Sequence, residues 1–189
     1  MKHRLALALA LILLMAACRD ETAQSTAAVA LTPDAVGHFC QMNLLEHPGP
    51  KGQVHLEGLP GTPLFFSQVR DTIAYARLPE QSHPILAIWV NDMGAPGATW
   101  DDPGATNWID ARRAHYVVGA AVEGGMGAPE IVPFADPAAA LAFAAEHGGA
   151  VMDLAQIPDA LVIPPDTDDT GDDADYARRL RALSNQPEG

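Results

Sequence analysis

Between residues 31 and 163 the apolar positions fall into short runs, bounded by glycine and proline and interrupted twice by longer stretches with helical spacing. The short runs at 53–56, 63–66 and 85–91 predict strands, and 67–78 predicts a helix before the last of them. The same order returns further on, with strands at 115–122, 130–134 and 150–154 and a helix at 136–147. Shifting the chain by 68 positions lays Phe66 on Phe134, Ala74 on Ala142, Tyr75 on Phe143 and Ala76 on Ala144. Chance identities between alanine-rich helices would not also reproduce the order of elements, so a duplication is the better reading. The second helix has clear ends: Asp136 can cap free N–H groups, Pro137 stands where no N–H is needed, and Gly148-Gly149 can terminate the turn. The expected fold is α+β, two tandem ββαβ units, about 53–91 and 115–154, packed as one compact domain over 31–163.

The flanks follow different patterns. Lys2, His3 and Arg4 precede an apolar run from Leu5 to Met15 and the small residues Ala16 and Ala17, so residues 1–17 read as a cleavable signal peptide. That run is shorter than the roughly 20 apolar residues a permanent transmembrane helix requires. Leu14-Met15-Ala16-Ala17-Cys18 resembles the lipobox of bacterial lipoproteins, in which the cysteine becomes the acylated first residue. Residues 18–30 then form a polar, Ala/Ser/Thr-rich tether. Arg19 rather than aspartate follows Cys18, which leaves both the inner and the outer membrane open as the anchoring surface. At the other end, 164–189 gathers Asp166, Asp168, Asp169, Asp172, Asp173 and Asp175 and reads as an acidic disordered tail.

Charge removes one class of function. The full chain carries −13, and loss of Lys2 and Arg4 with the signal peptide takes the mature protein to −15. Such a surface repels phosphate backbones, so nucleic acid is excluded as a partner.

The candidate chemistry is sulfur and imidazole. Cys18 and Cys40 are the two cysteines, and acylation of Cys18 leaves Cys40 without an intrachain partner. An unpaired thiol in an exported protein needs a reason, and metal ligation is a common one. Around it stand His38, Met42 and His47. On an extended strand Cys40 and Met42 would point to one side. A thiolate with a thioether is a soft donor pair, which favours copper(I) over the hard cations. Zinc fits less well, because it seldom accepts a thioether. Taken singly these residues have plainer readings: Cys40 as a small buried hydrophobe, Met42 as core filler, the histidines as surface residues. Met126, between Gly125 and Gly127, sits on a turn where its thioether is either exposed for capture or folded back on the core. No serine-triad elbow, phosphate-cradling glycine loop or paired Cys-x-x-Cys cluster is present.

These residues resemble the NosL family of copper-binding lipoproteins accessory to nitrous oxide reductase. The resemblance rests on Cys40-x-Met42, on 46–54 (Glu-His-Pro-Gly-Pro-Lys-Gly-Gln-Val), and on Trp108-Ile109-Asp110-Ala111 with Ala114-His115-Tyr116-Val117. Gly125-Met126-Gly127, Pro133-Phe134 and Gly148-Gly149 complete it. It implies a copper(I) chaperone, not an enzyme, lipid-anchored on the periplasmic side of a bacterial membrane. The chaperone would deliver copper for the tetranuclear copper-sulfide centre of nitrous oxide reductase, with the reductase and its membrane maturation complex as partners. It implies a fold related to organomercurial lyase. Cys40 and Met42 carry over as ligands, with Met126 as a further one. His47 is either a ligand or a shaper of its turn, and His115 is a further imidazole candidate. Two other readings compete: a metal-independent docking module of the same machinery, and a lyase-like enzyme with Cys40 as nucleophile. The second lacks a base near Cys40 in sequence, and fold analogy does not carry function.

Overall fold

The computed structural model describes residues 23–79, 81–163, 178 and 181. The expected signal peptide, Cys18 and all of the acidic tail but residues 178 and 181 lie outside the described residues.

The first unit is β1 (Gly52–Leu56), β2 (Leu64–Phe66), α1 (Val69–Arg77) and β3 (Ile85–Asn91). A short strand β4 (Trp108–Asp110) pairs with β3, giving an antiparallel sheet of order β2-β1-β3-β4. The second unit is β5 (His115–Val118), β6 (Val132–Phe134), α2 (Pro137–His147) and β7 (Ala150–Asp153), with sheet order β6-β5-β7, also antiparallel. Each unit thus places its first strand between its second and its third, as a duplicated ββαβ plan requires.

The repeat is not a uniform shift. Phe66 faces Gly52 across its sheet as Phe134 faces His115, and Val90 faces Gly52 as Asp153 faces His115. The second strands and the helix starts therefore correspond at the 68-residue offset (66 to 134), whereas the first and third strands correspond at 63 (52 to 115, 90 to 153). The second unit has gained five residues in the β5–β6 connection and lost five between α2 and β7. The enlarged connection is the one that carries Met126.

Helix ends behave as their residues dictate. Asp136 accepts from Ala138 N–H at 2.9 Å, Pro137 opens α2, and Gly148 closes it at φ 79°. Gln68 precedes α1 without capping it and sends its amide instead to the carbonyl of Ala128, 3.3 Å away in the second unit.

Packing joins the units into one body. Val69 and Ile73 of α1 share a core with Val90 of the first sheet and with Tyr116 and Val118 of the second. The other face of the second sheet, through Val117 and Val132, packs on Ala140 of α2. At the end of α1, Arg77 donates to the carbonyls of Leu154 and Ile157 and pairs with Asp159 at 2.7 Å. Every residue of β1 is buried, including Gln53 and His55, because its outer face is covered too. The cover is the segment expected to be a free tether. Residues 24–31 lie along the sheet, with Val29 N–H and carbonyl bonded to the Gln53 amide at 2.8 and 3.0 Å and Trp89 Nε1 donating to Thr26 at 2.9 Å. Buried amide and indole groups on the sheet's outer face need partners, and a polar segment supplies them.

Candidate metal centre

Cys40 sits at the tip of a tight turn rather than on a strand. Gly37 N–H donates to Met42 carbonyl at 3.0 Å, Gln41 N–H donates back to Gly37 carbonyl at 2.9 Å, and Val36 bridges Asn43. Gln41 is left-handed, with φ 55°. The extended geometry expected for 40–42 is therefore absent: a left-handed residue between them reverses the chain, and Cys40 and Met42 share a closed turn instead of one face of a strand. The turn is fixed to the first sheet, where Gly37 bridges Phe65 in parallel and His38 N–H donates to the Phe65 carbonyl at 2.6 Å.

The thiol has a prepared place. A Cβ on Gly37 would stand 2.4 Å from Cys40 Sγ, so the sulfur occupies the volume that any larger residue at 37 would take. Cys40 is half-buried and unpaired among the described residues. Met42 leaves the turn exposed, and so do Val36, Phe39 and Leu45 around it. His38 is engaged by aromatic rings, with Phe39, Phe66 and Tyr75 centroids 5.4–5.6 Å away.

From the turn the chain passes through a 3-10 turn, Leu44–Glu46, to His47 and Lys51. His47 Nδ1 lies 2.9 Å from the carbonyl of Gly125 and donates to it, which in the neutral ring makes Nε2 the acceptor nitrogen. That Nε2 is buried and has no hydrogen-bond partner among the described residues. His47 thus ties the start of the Met126 loop to the turn at 47–51 through one ring nitrogen. Glycine is required for the clamp, since a Cβ on Gly125 would stand 2.6 Å from His47 Cβ. Met126 itself is exposed at the loop tip, so its side chain is not folded back on the core.

Beneath lie two buried ionisable groups that the sequence had not marked. Lys51 is buried, and its Nζ donates to the carbonyls of His47, Pro48 and Gly49, holding that turn in shape. Burial pulls its pKa down to about 8, against the opposing fields of Glu130 and Cys40. Glu130 is fully buried, and burial pushes its carboxyl up to about 8 although Oε1 accepts from the N–H groups of Ile131 and Arg70. Its Oε2 has no partner among the described residues, and a Cβ on Gly124 would stand 2.4 Å from it. The signal available in the sequence was a lysine immediately before a strand start and a glutamate inside an apolar run.

His47 and Lys51 lead into the Gly52 end of β1, with the Gly125 carbonyl on His47, whereas the Cys40 turn lies along the β2 edge beside Phe65. His115 does not join them. It begins β5, whose other end leads to the Met126 loop, and its Nδ1 faces Asp153 at 3.5 Å. Among the described residues no three His, Cys, Asp or Glu side chains form a cage. The Cys40 turn itself offers a thiol and an exposed thioether, a soft donor pair.

The chain is a duplicated ββαβ domain with a thiol and a thioether on one turn at the edge of its first sheet. The chain belongs to the NosL family, whose model matches residues 28–162. It is 57% identical over 189 residues to the copper-binding lipoprotein NosL of Achromobacter cycloclastes, covering 98% of this chain and 97% of that one. The copper-binding lipoprotein NosL of Stutzerimonas stutzeri is 34% identical over 145 residues, 76% of this chain and 73% of the relative. The crystal structure of the copper chaperone NosL from Shewanella denitrificans superposes with a TM-score of 0.66 at 30% identity, covering 72% of this chain and 98% of that one. The mixed α/β fold is thereby confirmed.

Proposed function

We propose that this protein is a copper(I) chaperone, tethered by an acylated Cys18 on the periplasmic face of a bacterial membrane. Its cargo goes to the assembly of the tetranuclear copper-sulfide centre of nitrous oxide reductase. The observation that carries the reading is the Cys40 turn, a thiol unpaired among the described residues and seated over Gly37, with Met42 exposed beside it. Few donors at an exposed turn suit a carrier, because an incoming ligand can enter before the first one leaves. Met126, exposed on its loop and tied through Gly125 to His47, is the further thioether of this reading, and His47 its candidate imidazole.

Anaerobic titration with copper(I) against a competing chelator tests this. The expected result is a single tight site that Cys40→Ser abolishes or weakens at least tenfold, about 1.4 kcal/mol. A Cys40→Ser protein that bound copper(I) as tightly as the unaltered chain would refute it.

A further inference from the structure

The docked N-terminal segment is a strap with a titratable ring beneath it. The Gln24 side chain bonds the carbonyl of Leu56 at 2.8 Å and the N–H of Gly58 at 2.9 Å, and Val29 exchanges two bonds with the Gln53 amide. Between these ties Thr26 and Ala28 are half-buried while Ser25 and Ala27 are exposed, as in an extended segment with one side on the sheet. Gln53 and His55, two apart on β1, share the covered face, opposite to Val54 and Leu56 in their cluster with Phe66 and Tyr75. His55 is 1% exposed. Its Nε2 lies 3.0 Å from Gln53 Oε1, the oxygen that also accepts the Val29 N–H. An amide oxygen only accepts, so Nε2 carries the proton of the neutral ring. Nδ1 is buried and has no hydrogen-bond partner among the described residues.

The neutral ring fits this place and the charged ring does not. A second proton would sit on Nδ1, where neither an acceptor nor water meets it, and a buried unpaired charge is costly. No countercharge is at hand. The strap 24–31, β2 and β3 carry no ionisable side chain. Lys51, at the other end of β1, has its Nζ on the carbonyls of the 47–49 turn, and Asp110 of β4 is held by Arg112 at 2.9 Å. Arg70, Asp71 and Arg77 belong to α1, on the opposite face of the sheet, and Glu57, Glu80 and His83 fall in the connections 57–63 and 78–84. Burial alone lowers the His55 pKa from its ordinary 6.5. The docked strap therefore disfavours the His55 proton relative to the lifted one, so its hold is complete above about pH 6.5 and weakens as pH falls. The strap also reaches the Cys40 turn. Val29 and Ala30 wall a cavity of about 410 Å³ whose lining includes Gly37, His38 and Gln41, and Leu31 packs with Ala35 and Leu44.

We propose that residues 24–30 form a proton-operated strap, latched over neutral His55 through Gln53. Acidification charges the ring, the strap lifts from the sheet to admit water to Nδ1, and the cavity beside the Cys40 turn loses one wall. The device works in the metal-free protein.

Hydrogen exchange of the full chain without metal tests this, read by mass spectrometry at about pH 5 and about pH 8 and corrected for the intrinsic pH dependence of exchange. Peptides over 24–31 are expected to lose protection at least about threefold at the lower pH, while those over α1, the internal reference, keep theirs. His55→Phe, which keeps a ring that cannot titrate, and His55→Gln are both expected to hold the strap's protection constant across that range. An imidazole NMR titration of the unaltered chain gives the midpoint at which His55 charges, and the loss of strap protection is expected to share it. Strap protection that ignores pH in the unaltered chain overturns the proposal. So does a loss as large in the two variants as in the unaltered chain, or a loss centred away from the His55 midpoint. If both variants leave the strap unprotected even at the higher pH, agreement or disagreement of the two midpoints in the unaltered chain decides.

Discussion

Gly37→Ala is the substitution that most sharply separates a seated thiol from a merely exposed one. The added Cβ would stand 2.4 Å from Cys40 Sγ and 3.5 Å from Leu44 Cδ2. Ordinary contact between such atoms needs about 3.5–4 Å, so the sulfur must retreat by more than about 1 Å. Leu44 is fully buried and blocks part of the way, and a cysteine has one side-chain torsion to turn. Holding that torsion off its preferred value costs about 0.5–1.5 kcal/mol, and local overpacking brings the expected loss of stability to about 1–2 kcal/mol. The backbone at 37 is outside the left-handed region, so no further strain arises there. For copper(I) the effect is larger than for stability, because a donor displaced by this much no longer meets the others. Changes next to metal ligands commonly lower affinity about 10–100-fold. Chelator competition and urea unfolding on the same preparation measure both. A Gly37→Ala protein that lost the expected stability but bound copper(I) unchanged would show that the seat of the thiol is irrelevant to binding.

Two further outcomes follow from the groups beneath the site. Gly124→Ala would bring a Cβ to 2.2 Å from Gln68 Nε2 and 2.4 Å from Glu130 Oε2, so calorimetry is expected to show about 1–3 kcal/mol of destabilisation, several degrees in Tm; an unchanged Tm would contradict the close seating of that loop. Glu130 has its carboxyl raised from 4.5 to about 8 by burial, so the folded state holds this proton more tightly than the unfolded one. Its contribution to stability is complete below about pH 4.5 and is lost as pH rises toward 8, while Lys51 stays mostly protonated in both states below pH 8. Glu130→Gln is therefore expected to flatten the fall in urea midpoint between pH 5 and pH 8, a fall worth up to about 4 kcal/mol; parallel profiles for the two proteins would refute the assignment.

Much of the fold was legible because it rests on period and punctuation. The short apolar runs at β1, β2 and β3 and the Asp136-Pro137 start and Gly148 stop of α2 are local signals, and they placed the elements to within a few residues. The repeat was visible through Phe66 and Phe134, which occupy equivalent strand positions. Its five-residue compensation was hidden, because a uniform shift cannot detect an insertion that is cancelled later in the same unit. The conformation of the Cys40 turn was not legible either. Gln41 takes a left-handed conformation without being glycine or asparagine, inside a turn closed by the Gly37–Met42 and Gln41–Gly37 backbone bonds and by Gln41 Nε2 donating to the His38 carbonyl at 2.7 Å. Likewise 24–30 has the composition of a linker, and only the unsatisfied amide and indole groups of Gln53 and Trp89 across from it determine that it docks. Burial of Lys51 and Glu130 is a property of both units together, so neither stretch of sequence could announce it.

The central claim is that the Cys40 turn holds copper(I) through sulfur. Copper(I) X-ray absorption on the loaded protein tests it most directly, by counting and identifying the donors. The expected result is a low-coordinate shell dominated by sulfur, containing the Cys40 thiolate and at least one thioether. A shell of nitrogen and oxygen donors without sulfur would contradict it.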